Sequence, residues 1–250
     1  MIYIGLEPSQ VEYLCREAGS PDIIKATTRD IAYAVATRRS AGTTVAATCT
    51  LAHMAGIRVF ATGGIGGVHR DGHVTMDVSA DLIEMSRVPV AVVCAGAKSI
   101  LDLPRTLEVL ETQGVTVIGY RSDDFPAFYT RSSGLKVPYR ADTARQCAEL
   151  LWAKQLLNQH TGTLVTQPIA AQDEAEAVIV DKAIQEAVKL AEQQHVTGNK
   201  VTPFILGHVN KVTSGHAMKS NIALLQQNAQ LAAQIAVEFS NVAKQQNQVR

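Results

Sequence analysis

The chain has 250 residues, 46% of them hydrophobic and only 5% aromatic, which is enough for a sizeable core built from Ala, Val, Ile and Leu. Its 23 Lys and Arg balance 23 Asp and Glu, so there is no excess of positive charge for a nucleic-acid surface or a polybasic membrane patch. The longest apolar stretch, 88–97, is too short to span a bilayer, and Met1-Ile-Tyr-Ile-Gly-Leu-Glu-Pro8 has neither the basic segment nor the apolar run of an export signal; a soluble, cytoplasmic protein is expected.

In chain order, the spacing predicts a first helix over 9–18, with Val11, Leu14 and Cys15 on one face. Short β-branched runs at 57–61, 90–94, 115–119 and 164–166, each followed by turn-forming or polar residues, read as buried strands. Between and after them lie helical patterns. Residues 143–159 carry Cys147, Leu150, Leu151 and Leu157, and 178–193 carry Ile179, Ala183, Val188 and Ala191. The last helix, 221–244, carries Ile222, Leu225, Ala229, Ala232, Ala236 and Phe239, as a core face or a contact with another subunit. The segment 123–133, with its mix of Pro, aromatic and hydroxyl residues, reads as an irregular loop that closes over a site. Alternating strands and helices make an α/β layered fold, whose ligands lie beyond the carboxyl ends of strands. The four cysteines form no CxxC or Cys/His zinc spacing and read as reduced, buried thiols.

The chemistry-bearing motifs fall at those strand ends. Ala61-Thr-Gly-Gly-Ile-Gly-Gly-Val-His-Arg70 follows the first predicted buried strand. Its glycines pack no side chains, and close approach of the main chain to a ligand is the usual reason for such a run, a tight turn the other. It matches neither the full dinucleotide fingerprint nor a P-loop. Asp77, Ser79 and Asp81 follow at i, i+2, i+4. They converge on a cation or a sugar hydroxyl, or else begin a helix with Ser79 as its cap. Lys98 ends a buried strand, where desolvation would free its amine as a nucleophile; the alternative is a solvated lysine opening the next helix. His69 and Arg70 close the Gly run, Arg70 able to fork onto a phosphate. Lys219-Ser-Asn221 is read as opening the last helix, with amides free to face an anion or simply capped.

Together with Val93-Cys-Ala-Gly-Ala-Lys-Ser-Ile-Leu-Asp102, Thr202-Pro-Phe204 and Lys219-Ser-Asn-Ile222, these motifs resemble the pseudouridine-5'-phosphate glycosidases, also called the indigoidine synthase A-like family. The resemblance runs from the first residues to Lys244. It implies one α/β domain over 1–250, a three-layer α/β/α sandwich with a mixed, largely parallel sheet. It also implies a homotrimer, a divalent metal (usually Mn2+), and reversible cleavage of pseudouridine 5'-phosphate to uracil and ribose 5-phosphate. By matching motif it makes Lys98 the nucleophile and Asp77 the metal-associated carboxylate. Lys25, Val45, Ser79, Ala80, Asp81 and Asn221 would contact substrate, with His69 and Arg70 beside them.

The chemistry suits these residue types. The bond to be broken is C–C, so an amine attacks ribose C1, opens the ring and gives an imine, and protonation at uracil C5 releases the base. The sequence departs from the family in lacking, within Met1 to Glu17, the Glu-containing acid motif of an N-terminal segment, and in having Gln167-Pro168 where Asn-Pro is favoured. The expectation is therefore a shortened member. Its alternative reading is a catalytically impaired phosphosugar-binding remnant acting as an oligomer partner.

Overall fold

A computed structural model of the chain describes residues 2–174, 177–194, 196 and 201–248. The elements, in order, are α1 (Pro8–Arg16), β1 (Ile23–Ala26), α2 (Ile31–Thr37), β2 (Ser40–Thr43), α3 (Val45–Met54), β3 (Val59–Ala61), α4 (Gly72–Thr75), α5 (Ala80–Met85), β4 (Ala91–Cys94), α6 (Leu103–Thr112), β5 (Thr116–Tyr120), β6 (Tyr139–Ala141), α7 (Ala144–Leu156), β7 (Thr163–Thr166), α8 (Ala177–Gln193), α9 (Val201–Val212) and α10 (His216–Gln248). All four predicted strands and all four predicted helices form, with ends shifted by a few residues. The sequence reading did not find β1, β2 and β6, nor several helices, α3, α6 and α9 among them.

Five strands form one sheet in the order β3-β4-β7-β5-β6, and β1 and β2 form a separate pair. Every pairing between named strands is parallel; antiparallel contacts are confined to isolated bridges such as Val68 with Val78 and Gly96 with Ala127. In the central strands, Val93 sits opposite Val165 and Ile118 opposite Val165. Alternate residues serve two cores. Val92, Cys94, Val117 and Leu164 join Leu82, Met85, Leu110, Ile184 and Val209 on one face. Val93, Ile118 and Val165 join Cys147, Leu231, Ala232 and Ile235 on the other. Helices thus cover both faces, α7 with α10 on one side and α3, α5, α6, α8 and α9 on the other, giving the three layers expected. Each fully buried aliphatic side chain contributes about 1.5–3 kcal/mol of transfer free energy.

Local chemistry starts the helices where they are needed. Thr44 caps α3 by accepting from Ala47 N (3.3 Å), Asp102 caps α6 by accepting from Arg105 N (3.0 Å) with Pro104 in its first turn, and Thr143 and Gln146 form a capping box on α7. On α10 the buried side is Leu224, Asn228, Leu231, Ile235 and Val242. The predicted face is turned outward at Ile222 and Leu225, which are 53% and 46% exposed. The expected Leu157 face of α7 also ends in solvent. Of the cysteines, Cys49, Cys94 and Cys147 are buried and Cys15 is exposed.

Candidate functional site

The site grows out of the parallel sheet. Past the ends of β3 and β4 the two chains stay laced together. Thr62 N donates to Val93 O (2.9 Å), Ala95 N to Gly63 O (2.9 Å), Ile65 N to Gly96 O (3.1 Å) and Lys98 N to Ile65 O (3.2 Å). The Gly run and the lysine segment are therefore one continuous structure at the carboxyl ends of the strands, where α/β folds place ligands. Gly96 has φ +84°, and a Cβ there would collide with the Pro126 carbonyl, so position 96 takes only glycine. The 123–133 segment docks on the same spot, with Phe128 N donating to Ala95 O (2.9 Å) and Phe125, Ala127, Phe128 and Tyr129 buried.

The glycines of the run are packed closely against the protein's own side chains. A Cβ on Gly64 would overlap the Phe128 ring, one on Gly66 would overlap Ser79 and the Asp81 carboxylate, and one on Gly67 would overlap Thr106. The protein's own side chains fill the space where each of these three Cβ atoms would lie, so internal packing alone already requires glycine there. Gly63 alone faces a polar group of α10, the Asn221 side-chain oxygen, 3.1 Å from where its Cβ would lie.

Asp81, in the first turn of α5, is 5% exposed, and both of its oxygens are engaged. Oδ1 accepts from Ala46 N (2.8 Å) at the start of α3, and Oδ2 from Gly66 N (2.7 Å). One carboxylate thus pins the Gly run to a helix N-terminus, where negative charge is favoured. Ser79 caps α5 by accepting from Asp81 N (3.2 Å), and its own N–H donates to Gly67 O (3.0 Å). The structure thus shows the helix start that the capping reading of Ser79 expected, with Asp81 in its first turn.

Burial holds the Lys98 amine below its ordinary pKa; the Asp81 charge opposes that shift and the Lys25 charge adds to it. The three groups therefore sense one another. They arrive from three elements: Lys25 from β1, in register with Gly42 of β2; Asp81 from α5; Lys98 from beyond β4. Among the described residues no side-chain hydrogen bond holds the Lys98 amine. Nearby, burial pushes the Cys94 and Cys49 thiols up to about 12, which leaves them protonated and poor nucleophiles.

The other expected residues lie around this centre. Val45 is buried as the first residue of α3, and Ala80 is the first of α5. Arg70 donates to Ile100 O (3.3 Å) and Ser99 O (3.5 Å), bracing the turn that follows Lys98. Asn221 lies inside α10, which begins at His216, so it does not sit among free helix-start amides; its side chain instead reaches the Gly run. Asp77 is half exposed and its Oδ2 lies 3.8 Å from His69 Nδ1. Among the described residues no group of three or more His, Cys, Asp or Glu is placed to hold a metal. The donor set at Asp77 does not fit a closed protein cage; a single exposed carboxylate suits only a cation that keeps most of its waters.

Three further residues shape the site. Asn228 is 1% exposed and donates from Nδ2 to Thr62 O (2.9 Å); among the neighbouring amides Gln226, Gln227 and Gln230, only its helical spacing from Leu224 and Leu231 marks it. Thr106 Oγ1 accepts from Val68 N (3.0 Å). Phe128, at φ +65°, lies over Gly64. Nothing local in the sequence marks the last two.

Residues 1–238 match the family model described as indigoidine synthase A like protein. A pseudouridine-5'-phosphate glycosidase of Geobacillus kaustophilus is 51% identical over 96% of this chain and 78% of its own length. One from Solibacter usitatus is 49% identical over 96% and 79%. Among solved structures, the prealnumycin C-glycosynthase AlnA in complex with ribulose 5-phosphate has a TM-score of 0.87 at 38% identity, covering 96% of this chain and 78% of that one. An indigoidine synthase A-like protein from Thermotoga maritima has a TM-score of 0.85 at 35% identity, covering 94% and 76%. The chain, with its laced Gly run and lysine, belongs to the indigoidine synthase A-like family.

Proposed function

We propose that the protein cleaves the C–C glycosidic bond of pseudouridine 5'-phosphate reversibly, giving uracil and ribose 5-phosphate through an imine on Lys98. The observation that carries this reading is the Lys98 amine. It is desolvated at a strand end, below its ordinary pKa and, among the described residues, free of side-chain hydrogen bonds, so the nucleophilic free base is populated at a lower pH than in an ordinary lysine. The names of its relatives point to the same class of C-glycoside chemistry on sugar phosphates.

In the proposed sequence the Lys98 Nζ lone pair forms a bond to ribose C1 while the C1–ring oxygen bond breaks, and the ring oxygen takes a proton. Uracil C5 is then protonated. The C1–C5 bond breaks, its electron pair restoring the C5=C6 bond of uracil, and the nitrogen lone pair closes the C=N bond. Water adds to the imine, releasing ribose 5-phosphate and the amine. Lys25 and Asn221 bind the sugar phosphate in this reading. Val45, Ser79, Ala80 and Asp81 contact the substrate as well, Asp81 held in place by two backbone donors, with His69 and Arg70 beside them. A divalent cation such as Mn2+ would sit at Asp77 with most of its waters and supply positive charge near the substrate. The protein acts as a homotrimer in this reading, and the exposed apolar residues Met218, Ile222 and Leu225 along one face of α10 support self-association.

The test is borohydride trapping. Ribose 5-phosphate with the folded protein and borohydride should label Lys98, and adding uracil without reductant should give pseudouridine 5'-phosphate. A label on a different lysine overturns the role of Lys98. Binding of the sugar phosphate with neither label nor product overturns the activity and leaves a phosphosugar-binding protein.

A further inference from the structure

A second cluster of cations lies at the opposite edge of the sheet, where the strands begin. A cavity of about 250 Å³ opens there, lined among others by His53, Arg58, Lys154, His160 and Thr163, and by no acidic residue. Its base is buried: Lys154 is 7% exposed and Thr163 1%. Lys154 Nζ donates to Thr116 Oγ1 (3.1 Å), Thr161 Oγ1 (3.1 Å) and Gly162 O (2.9 Å). All three acceptors are neutral, so its hydrogen bonds are satisfied while its charge has no counter-ion among the described residues. Thr163 Oγ1, also at the base, is buried without any hydrogen-bond partner among the described residues. An orphaned buried hydroxyl is rare and calls for a missing acceptor. A desolvated, unpaired ammonium calls for a negative charge. Arg58, His53 and His160 stand exposed at the rim, able to donate to an oxyanion.

We propose that this cavity is a binding site for a small oxyanion of the phosphate class, separate from the Lys98 site and on the other edge of the sheet. Thr163 donates its hydroxyl to the anion, Arg58 and the two histidines hold it from the rim, and Lys154 supplies charge from below without direct contact. The volume suits an inorganic oxyanion or a small phosphorylated metabolite and is below the usual range for drug-sized ligands.

Inorganic phosphate, titrated at constant ionic strength, is the probe, read by the ring resonances of His53 and His160 in the intact protein. A saturable shift of both signals is expected, with Kd in the millimolar range or tighter. Arg58→Gln, a rim change that leaves the core intact, should weaken it roughly tenfold or more. Thr163→Val should weaken it as well, while a chloride titration at equal ionic strength should leave the signals still. Histidine signals that do not saturate, or a response unchanged in Arg58→Gln, overturn the proposal. So does phosphate binding seen only at signals around Lys98.

Discussion

Two lysines occupy the two edges of one parallel sheet, and the difference between them separates the amine proposed to react from a fixed one. Lys98 lies past the strand ends, and burial lowers its pKa. It has a carboxylate and a second cation for neighbours and no side-chain hydrogen bond among the described residues. Lys154 lies before the strand starts, its pKa lowered by burial to about 8, and all three of its N–H bonds are spent on neutral acceptors. Desolvation alone therefore does not make a nucleophile. What distinguishes Lys98 is that its lone pair can be exposed without breaking a hydrogen-bond network.

Exchanging the roles is the strongest way to break that contrast. Lys98→Met should lower turnover by about 10⁴-fold or more and abolish trapping, with stability kept or raised because a desolvated cation is gone. Lys154→Met should leave kcat within a few-fold; a comparable loss there would put the reactive amine at the wrong edge. Next in size is Asp81→Asn. An amide has one acceptor oxygen where the carboxylate uses two, so either Ala46 N or Gly66 N loses its partner. Chemical denaturation should show a loss of about 2–4 kcal/mol, and activity should fall with it.

Stability against pH sharpens the contrast further. Below about pH 8 Lys154 is protonated in both folded and unfolded chains and the cost of burying its charge is fully present. Between pH 8 and 10.5 the folded protein releases the proton while the unfolded chain keeps it, so stability rises with pH. Wild type should gain on Lys154→Met by up to about 3 kcal/mol across that window; parallel curves would mean the ammonium is already compensated. The smallest effect is Thr163→Val, which removes the orphaned hydroxyl and should be neutral or stabilise by about 1 kcal/mol in phosphate-free buffer.

The sheet was legible because β4, β5 and β7 are runs of β-branched residues buried on both faces, a pattern that survives without knowledge of partners. β2 was not, since Ser40-Ala-Gly-Thr43 carries no apolar run and is a strand only because β1 lies beside it. α10 was legible as a helix but not in rotation: its apolar residues, many of them alanine, make two stripes, and only docking against the sheet selects Leu224, Leu231 and Ile235. The Gly run announced that side chains were excluded, yet Phe128, Ser79 and Thr106, which exclude them, come from distant segments. Asp81 showed its capping position locally. Its two backbone donors come from Ala46 and Gly66, 35 and 15 residues away.

The lacing of residues 62–65 to 93–98 bears also on how the protein opens. Amides of Ile65, Ala95 and Lys98 close the same ladder that joins β3 to β4, so they cannot be freed without parting the sheet. Their hydrogen exchange should follow the global unfolding free energy and not that of a surface loop. The Lys98 backbone is then set in place by the same cooperative event that folds the sheet, with no separate ordering step.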